Sequence, residues 1–360
     1  MSKVYQSAQR FFLGKALREL QPAWFLRLPN MLLRQEELRA EELGLIDPRV
    51  THRWLKPVAV ILQVVRHCNY RCKFCLVNEL VSDGDGATGI TVEAFQRLMD
   101  APLLSGCLRL GLTGGEPMLV PHVFELVRIA KRRIPVVTMN TNFSLVKPKL
   151  EQLNASGIDM LSISLYEPNQ GLIKKLAPQV SPRIYRRLTF MLNQQEAFHH
   201  VRRIPEIAEM AVELGFKSLH FQNFLPPRDG FDLHSPRSEN EGTYVSVARD
   251  NPEYLRLREE TERRFGDRLA IAWPVFEDAV APTGRPRCRQ PDTQIAMDLD
   301  GNLAPCCQVD ADPKYGNAHS PEHWNSEAFQ AVRRGLKVEG APLHPVCEGC
   351  PFVHKDLYEA

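Results

Sequence analysis

The sequence lacks an apolar stretch long enough to cross a bilayer, because its longest mainly apolar run, residues 57–65, is far shorter than a membrane-spanning helix. A signal-like N-terminus is also missing, since Arg10, Lys15 and Arg18 interrupt the apolar residues there. Neither charge is in strong excess: the formal net charge of the 360 residues is +2. We therefore expect a cytoplasmic globular protein with no transmembrane segment and no nucleic-acid partner.

Cysteines are plentiful, and their positions are uneven. Three of the nine lie within residues 68–75, five lie within residues 288–350, and Cys107 stands alone. In a reducing compartment disulfides are rare, so clustered thiols usually indicate metal binding or catalysis. The sequence thus predicts two separate metal sites, with Cys107 as a structural thiol.

The hydrophobic pattern predicts an α/β fold. Residues 1–55 have helical periodicity, and we expect a helical arm packed on the main domain, with a membrane-surface helix as the alternative. From residue 57 short apolar strands alternate with helices, which is typical of βαβ units around a parallel sheet. The predicted strands are 58–66, 108–113, 135–141, 159–165, 184–192 and 217–224, and the predicted helices are 91–100, 121–132, 145–156, 170–176, 203–214 and 252–265.

Six strand-helix units indicate a partial (β/α)6 TIM-like barrel and not a closed one. Active sites of such folds lie on the loops that follow the carboxyl ends of the strands. We divide the chain into an N-terminal helical extension (1–55), the partial barrel (56–227), a connector with one helix (228–284) and a small C-terminal cluster-binding domain (285–360).

The first thiol group directly follows the first predicted strand, as Cys68-Asn-Tyr-Arg-Cys72-Lys-Phe-Cys75. Three close thiolates can hold three irons of a 4Fe-4S cluster and leave the fourth iron open. A zinc site with His67 as fourth ligand is the alternative. After the next strand comes the run Gly-Gly-Glu-Pro at 114–117, whose glycines allow backbone to approach a ligand closely.

In this order of motifs the sequence resembles the radical S-adenosylmethionine (SAM) superfamily, over roughly residues 58–227. The resemblance implies a 4Fe-4S cluster on Cys68, Cys72 and Cys75, with SAM on its open iron. The implied SAM-binding or cavity-lining residues are Phe74, Gly114, Gly115, Glu116, Asn142, Ser164 and Asn193. Two residues depart from the family pattern: Phe143 stands where many relatives have the glycine of Thr-Asn-Gly, and Tyr166 where relatives often carry aspartate.

The C-terminal cysteines could complete a zinc site or fully ligate an iron-sulfur cluster, and their spacing alone does not decide. Residues 285–352 resemble the SPASM and twitch auxiliary-cluster domains, in the single-cluster version. On that resemblance the ligands of a second 4Fe-4S cluster are Cys288, Cys306, Cys347 and Cys350. Cys307 is interpreted as a spare structural thiol, with a second ligand or a hydrogen-atom donor as alternatives.

The resemblance implies that reductive cleavage of SAM yields a 5′-deoxyadenosyl radical, which removes a hydrogen atom from a substrate carbon. Oxidation or epimerisation of a small metabolite is expected, and modification of a ribosomal peptide is the alternative. A reductant such as flavodoxin or ferredoxin is the expected partner. A non-catalytic protein with zinc in both thiol groups is the candidate from another class. We interpret the histidines at 67, 199, 200 and 220 as hydrogen-bonded structural residues.

Overall fold

A computed structural model describes residues 3–19, 22–42, 56–72, 75, 89–223, 245–276, 288–320, 324–338, 340–348, 350 and 353. Its centre is a sheet of nine strands in the order β7-β6-β5-β4-β3-β2-β1-β8-β9. The strands are β1 (Ala59–Val65), β2 (Arg109–Gly114), β3 (Val136–Thr141), β4 (Met160–Ser164), β5 (Tyr185–Leu192), β6 (Ser218–Asn223), β7 (Ala270–Ala272), β8 (Gln294–Met297) and β9 (Leu303–Ala304).

Every neighbouring pair in the sheet is parallel except β8 and β9, which form an antiparallel pair. All six strands predicted from the sequence are confirmed, within about two residues at each end. Among the described residues β7 and β9 stand at the two ends of the order and do not pair, so the barrel is open. The predicted α/β partial barrel is therefore confirmed, with one further parallel strand, β7, after the six.

The helices are α1 (Lys3–Glu19), α2 (Pro22–Glu42), α3 (Val92–Asp100), α4 (Val123–Lys131), α5 (Leu150–Ala155), α6 (Gln170–Leu176), α7 (Ile204–Glu213), α8 (Pro252–Phe265), α9 (Gln290–Thr293) and α10 (Glu327–Lys337). The six helices predicted between residues 91 and 265 are confirmed as α3 to α8, although α5 begins five residues later than predicted, and α9 and α10 were not predicted. Thr91 caps α3, where its side chain accepts a hydrogen bond of 3.1 Å from the backbone N–H of Ala94. None of the described helices is both long enough and apolar enough to span a membrane.

The two faces of the sheet differ in chemistry because side chains alternate along each strand. One face carries the buried apolar residues that pack on the helices, such as Leu62, Leu112 and Phe190. The other face is polar: in the strand register Ser162 of β4 is paired with Arg187 of β5, and Thr189 with His220 of β6. This polar face lines the interior of the open barrel.

Helix α1 covers the end of the interior where the strands begin. Its residues Phe11 and Phe12 pack on Tyr185, the first residue of β5. Lys15 forms a salt bridge of 2.7 Å with the buried carboxylate of Asp159. The predicted packing of a helical arm on the main domain is thus confirmed for α1.

The C-terminal segment joins the same sheet, because β8 pairs with the free edge of β1. Strands β7, β8 and β9 were not predicted from the sequence. Residues 224–244 and 277–287, which make up much of the predicted connector, lie outside the described residues. The four-part division of the chain stays a prediction.

Candidate active site between two thiol groups

The first thiol group comes directly after β1. The backbone N–H of Cys75 donates to the carbonyl of Cys72 over 2.9 Å, and the N–H of Tyr70 points at the Cys68 sulfur over 3.4 Å. Burial, with repulsion from the Cys75 and Cys68 thiols, raises the pKa of Cys72 to about 12. The pKa of Cys68 is raised by burial and by the same kind of repulsion from Cys75. The structure therefore brings the three predicted thiols within electrostatic range of one another.

The glycine pair at the end of β2 lies against the segment that leads to these thiols. A Cβ on Gly114 would lie 2.1 Å from the carbonyl oxygen of Val65, and one on Gly115 would lie 2.0 Å from that of His67. Gly114 also has a φ of 135°, which side chains rarely allow. The sequence predicted that these glycines let the backbone approach a ligand closely. In the structure, the glycines closely approach the backbone that leads to the cysteines. Contact of these glycines with the amine of SAM stays a prediction.

Glu116 follows the glycines and is completely buried. Its carboxylate accepts hydrogen bonds from the hydroxyl of Thr141 (2.7 Å) and from the backbone N–H groups of Met118 (2.9 Å) and Asn142 (2.6 Å). Burial raises the pKa of Glu116, and these hydrogen bonds oppose the shift. Its carboxylate therefore ties the end of β2 to the end of β3. A contact of Glu116 with SAM stays a prediction.

Asn142 connects β3 to the cysteine segment. Its side-chain NH₂ donates to the side-chain oxygen of Asn69 over 2.9 Å and lies 3.8 Å from the Cys68 sulfur. Its own carbonyl accepts a hydrogen bond from Asn169, which also donates to the carbonyl of Ser164. Asn142, predicted from the sequence to line the cavity, lies beside the first thiol group.

Tyr166 is a site residue whose role the sequence did not predict. The side chain of Tyr166 forms a hydrogen bond with the Cys72 thiol, which lowers the pKa of Cys72, although burial raises it by more. Tyr166 also forms a side-chain hydrogen bond with Ser164. Burial and the nearby Cys72 thiol raise the pKa of Tyr166 itself. Its ring packs edge-on against Tyr70 within the cysteine segment, with 5.9 Å between ring centroids. The position at which relatives often carry aspartate thus contacts the thiol group.

Two other predicted site residues have different outcomes. Asn193 is fully buried just after β5, and its side-chain oxygen accepts hydrogen bonds from the N–H groups of Gln195 (2.7 Å) and Glu196 (3.0 Å). It therefore shapes the turn after the strand, and its contact with the cavity stays a prediction. Phe74, predicted to lie near adenine, is outside the described residues.

The second thiol group is built by the C-terminal segment. Burial, with repulsion from Cys350 and Cys347, raises the pKa of Cys288 to about 12. Burial raises the pKa of Cys306 too, and Cys288 and Cys347 add to the shift. The N–H of Cys350 donates to the carbonyl of Cys347 over 3.2 Å, which closes the CxxC turn. The structure thus brings all four predicted thiols together.

The two thiol groups lie at opposite ends of the strands. Cys68 follows the carboxyl end of β1, whereas Cys288 precedes β8, which runs parallel to β1. Cys306 follows β9, which is antiparallel to β8. The end of β9 therefore lies beside the start of β8. A strand of seven residues such as β1 spans roughly 20 Å. The polar interior of the barrel therefore lies between the two groups.

The remaining cysteines differ in environment. Cys107 is completely buried, and its thiol donates to the carbonyl of Arg109 over 3.0 Å, which agrees with a structural role. Cys307 is exposed by its surface area, yet the protein around its sulfur raises the pKa of the thiol by desolvation, and the nearby Cys350 adds to the shift. Its role as spare thiol, ligand or hydrogen donor stays a prediction.

The donor chemistry of both groups fits iron-sulfur clusters. Buried thiols of raised pKa stay protonated at neutral pH, and iron stabilises the thiolate form that burial disfavours. In the described part of the chain, no three His, Cys, Asp or Glu side chains are placed to hold a single metal ion. Cluster thiolates bind separate irons, so they do not have to meet at one ion.

Comparisons with known proteins agree with this geometry. Residues 62–226, which contain the first thiol group and the Gly-Gly-Glu-Pro run, match the family described as the radical SAM superfamily. The chain therefore contains a radical SAM domain. Residues 288–351, which contain the second thiol group, match an iron-sulfur cluster-binding domain named SPASM. The two matches imply 4Fe-4S clusters.

Individual relatives are distant. A probable GTP 3′,8-cyclase of Thermococcus kodakarensis is 28% identical over 38% of this chain, and the alignment spans only 40% of that relative's length. A PqqA peptide cyclase of Ruegeria pomeroyi is 26% identical over 84% of this chain and 81% of the relative. SuiB of Streptococcus suis, solved with bound S-adenosylmethionine, has a TM-score of 0.57 at 16% identity, covering 81% of this chain and 72% of SuiB, which shows a shared fold.

Proposed function

We propose that this protein is an enzyme that cleaves SAM reductively and removes a hydrogen atom from a substrate held in the barrel interior. Cys68, Cys72 and Cys75 would hold a cluster with one open iron, and the four C-terminal thiols would hold a second, fully ligated cluster. When bound, the first cluster supplies the electron that splits SAM into methionine and a 5′-deoxyadenosyl radical. The observation that carries the proposal is the placement of the two thiol groups at opposite ends of the strands of one sheet, with a polar interior between them.

The chain's own residues position the cofactor and exclude water. The N–H of Glu116 donates to the carbonyl of His67, and Asn142 donates to Asn69, so these two residues hold the start of the cysteine segment against the ends of β2 and β3. Gly114, Gly115 and Ser164 lie around this segment and are our candidates for contacts with SAM. Helix α1 covers the opposite end of the interior, which shields a reactive radical from solvent at that end.

The substrate class has two candidates. A small metabolite that is oxidised or epimerised is the first, and a peptide is the second. One observation favours the peptide: the alignment with a PqqA peptide cyclase extends over most of both chains. SuiB, which shares the fold, has also been solved with its precursor peptide SuiA. A flavodoxin or ferredoxin is proposed as electron donor.

Anaerobic reconstitution with iron and sulfide tests the proposal. We expect about eight irons per chain, visible iron-sulfur absorbance, and 5′-deoxyadenosine when SAM and dithionite are added. Cys72→Ala should lose roughly half of the iron and form no 5′-deoxyadenosine. The matched control is Cys107→Ala, which removes a buried thiol outside both groups and should keep the iron. A colourless protein that binds zinc at both sites would contradict the proposal and favour the non-catalytic alternative.

A further inference from the structure

Two consecutive arginines on β5 have opposite environments. Arg186 points toward the helices, where its guanidinium donates to the carbonyls of Ala177, Leu214 (3.0 Å) and Gly215 (3.0 Å). Arg187 points into the barrel interior, and its Nε is buried without a hydrogen-bond partner in the described part of the chain. The guanidinium is thus held by three backbone carbonyls on one face of the strand, whereas on the other face the Nε of Arg187 has no partner among the described residues.

The groups around Arg187 are also unsatisfied. Ser218 is its register partner on β6, and the Ser218 hydroxyl is buried with no hydrogen-bond partner among the described residues. His220, two residues further along the same face, has a buried Nε2 that likewise lacks a partner there, so its predicted role as a hydrogen-bonded structural histidine stays a prediction. Buried polar groups are nearly always paired in folded proteins. Three unpaired groups on one interior surface are therefore available to bind a ligand.

The charge of Arg187 is uncompensated as well. No carboxylate of the described residues forms an ion pair with it, whereas the buried Asp159 is paired with Lys15 and Lys131. Burial lowers the pKa of Arg187 to about 10, and the nearby charge of Arg109, which has the same sign, adds a smaller part of the shift. Arg187 is partly buried, and a cation partly removed from water without a partner is stabilised when an anion binds to it.

We propose that Arg187, with Ser218 and His220 beside it, binds a carboxylate of the substrate, an inference that rests on the proposed function. A guanidinium fork matches the two oxygens of one carboxylate. Burial and the charge of Arg187 lower the pKa of His220, so its imidazole stays neutral and adds a hydrogen bond but no charge.

The site has a defined position between the two thiol groups. Arg187 is paired with Ser162, which precedes Ser164 by two residues on β4. Two residues along a strand correspond to about 6.6 Å. A substrate held by its carboxylate at Arg187 would therefore extend past Ser164 toward the first thiol group, and its reacting carbon would face the SAM side of the interior.

Thermal unfolding of the full-length protein tests whether Arg187 serves a ligand or the fold. Arg187→Met removes the uncompensated charge and should raise the melting temperature of the ligand-free protein by about 2–4 °C. Arg186→Met, on the same strand, breaks three hydrogen bonds and should lower the melting temperature. If Arg187→Met is destabilised or does not fold, Arg187 supports the fold and the proposal is wrong.

Sodium acetate is the probe for the carboxylate. At matched ionic strength in sodium chloride, acetate should raise the melting temperature of the wild type by at least about 1 °C, should not change that of Arg187→Met, and acetamide should have no effect. If inorganic phosphate stabilises the wild type through Arg187 more than acetate does, the carboxylate assignment is wrong. Formation of 5′-deoxyadenosine by the wild type, without substrate, is measured in parallel, because its absence refutes the proposed function and not the anion site.

Discussion

Phe143 has a backbone conformation that is unusual for a residue with a side chain. Its φ of 61° lies in the left-handed region, and among the described non-glycine residues it alone has a positive φ. The side chain is nevertheless completely buried, and its N–H donates to the Thr141 hydroxyl over 2.9 Å. The sequence indicated this position, because relatives often carry glycine there. The structure gives the reason: the turn that places Asn142 beside Cys68 requires a left-handed residue next to it.

Two substitutions of Phe143 separate strain from burial. Phe143→Ala should lower the free energy of unfolding by about 3–5 kcal/mol, since the buried ring is lost and the strain remains. Phe143→Gly loses the same ring but relieves the left-handed strain, so it should be about 1 kcal/mol more stable than the alanine variant. Denaturant unfolding of both variants measures the difference.

Phe95 provides the matched control, because it is equally buried but lies within α3. There the alanine variant should be the more stable of the pair by about 1 kcal/mol, as helix propensity dictates. If alanine is also the better residue at position 143, the backbone there is not strained.

The junction of β2 with the cysteine segment is the element on which the first thiol group depends. Gly115→Ala would place a methyl group 2.0 Å from the backbone oxygen of His67, so the cysteine segment would have to move. We expect reconstituted Gly115→Ala to hold about four irons fewer than the wild type, and to form little 5′-deoxyadenosine. Iron analysis and visible absorbance measure the loss.

Gly171 provides the comparison, since a Cβ there meets nothing within 4 Å and the residue lies in α6. Gly171→Ala should keep the full iron content and be more stable than the wild type by about 0.5–1 kcal/mol. Full iron in Gly115→Ala would show that the close approach does not hold the thiols in place.

Elements with a strong local signal could be predicted from the sequence, and elements without one could not. The six strands of the barrel are apolar runs separated by helices, so their pattern is visible in any short window. Strand β7 has three residues and β9 has two, so neither is long enough to show the alternation of apolar and polar residues that identifies a strand. The pairing of β8 with β1 joins residues more than 230 positions apart. Such pairing depends on the whole fold.

The site divides in the same way. Cysteine spacing identified both thiol groups, because ligands of one cluster are partly set by local sequence. The contact of Tyr166 with Cys72 could not be predicted, since it joins two loops that only the sheet brings together. The interior position of Arg187 could not be predicted either, because Arg186 beside it is also charged, and the sequence does not show which of the two lies on the face packed on helices.

For the whole molecule, the decisive feature is that the sheet continues from the barrel into the C-terminal segment. Because β8 pairs with β1, the second thiol group has a fixed position at the end of the strands opposite to the first thiol group. Loss of the second cluster should therefore leave the first thiol group intact, while the C-terminal segment loses the metal that stabilises it.

The double variant Cys347→Ala/Cys350→Ala tests this independence. We expect its iron content to fall from about eight to about four per chain, with the remaining absorbance still bleached by dithionite. Its melting temperature should fall below that of the wild type, because cluster binding no longer stabilises the turn that follows α10. Cys307→Ala is the matched control, since this exposed thiol of the same segment is not among the predicted ligands and its removal should leave about eight irons. If Cys307→Ala instead loses four irons, Cys307 is a ligand, and the set of four proposed for the second cluster is wrong.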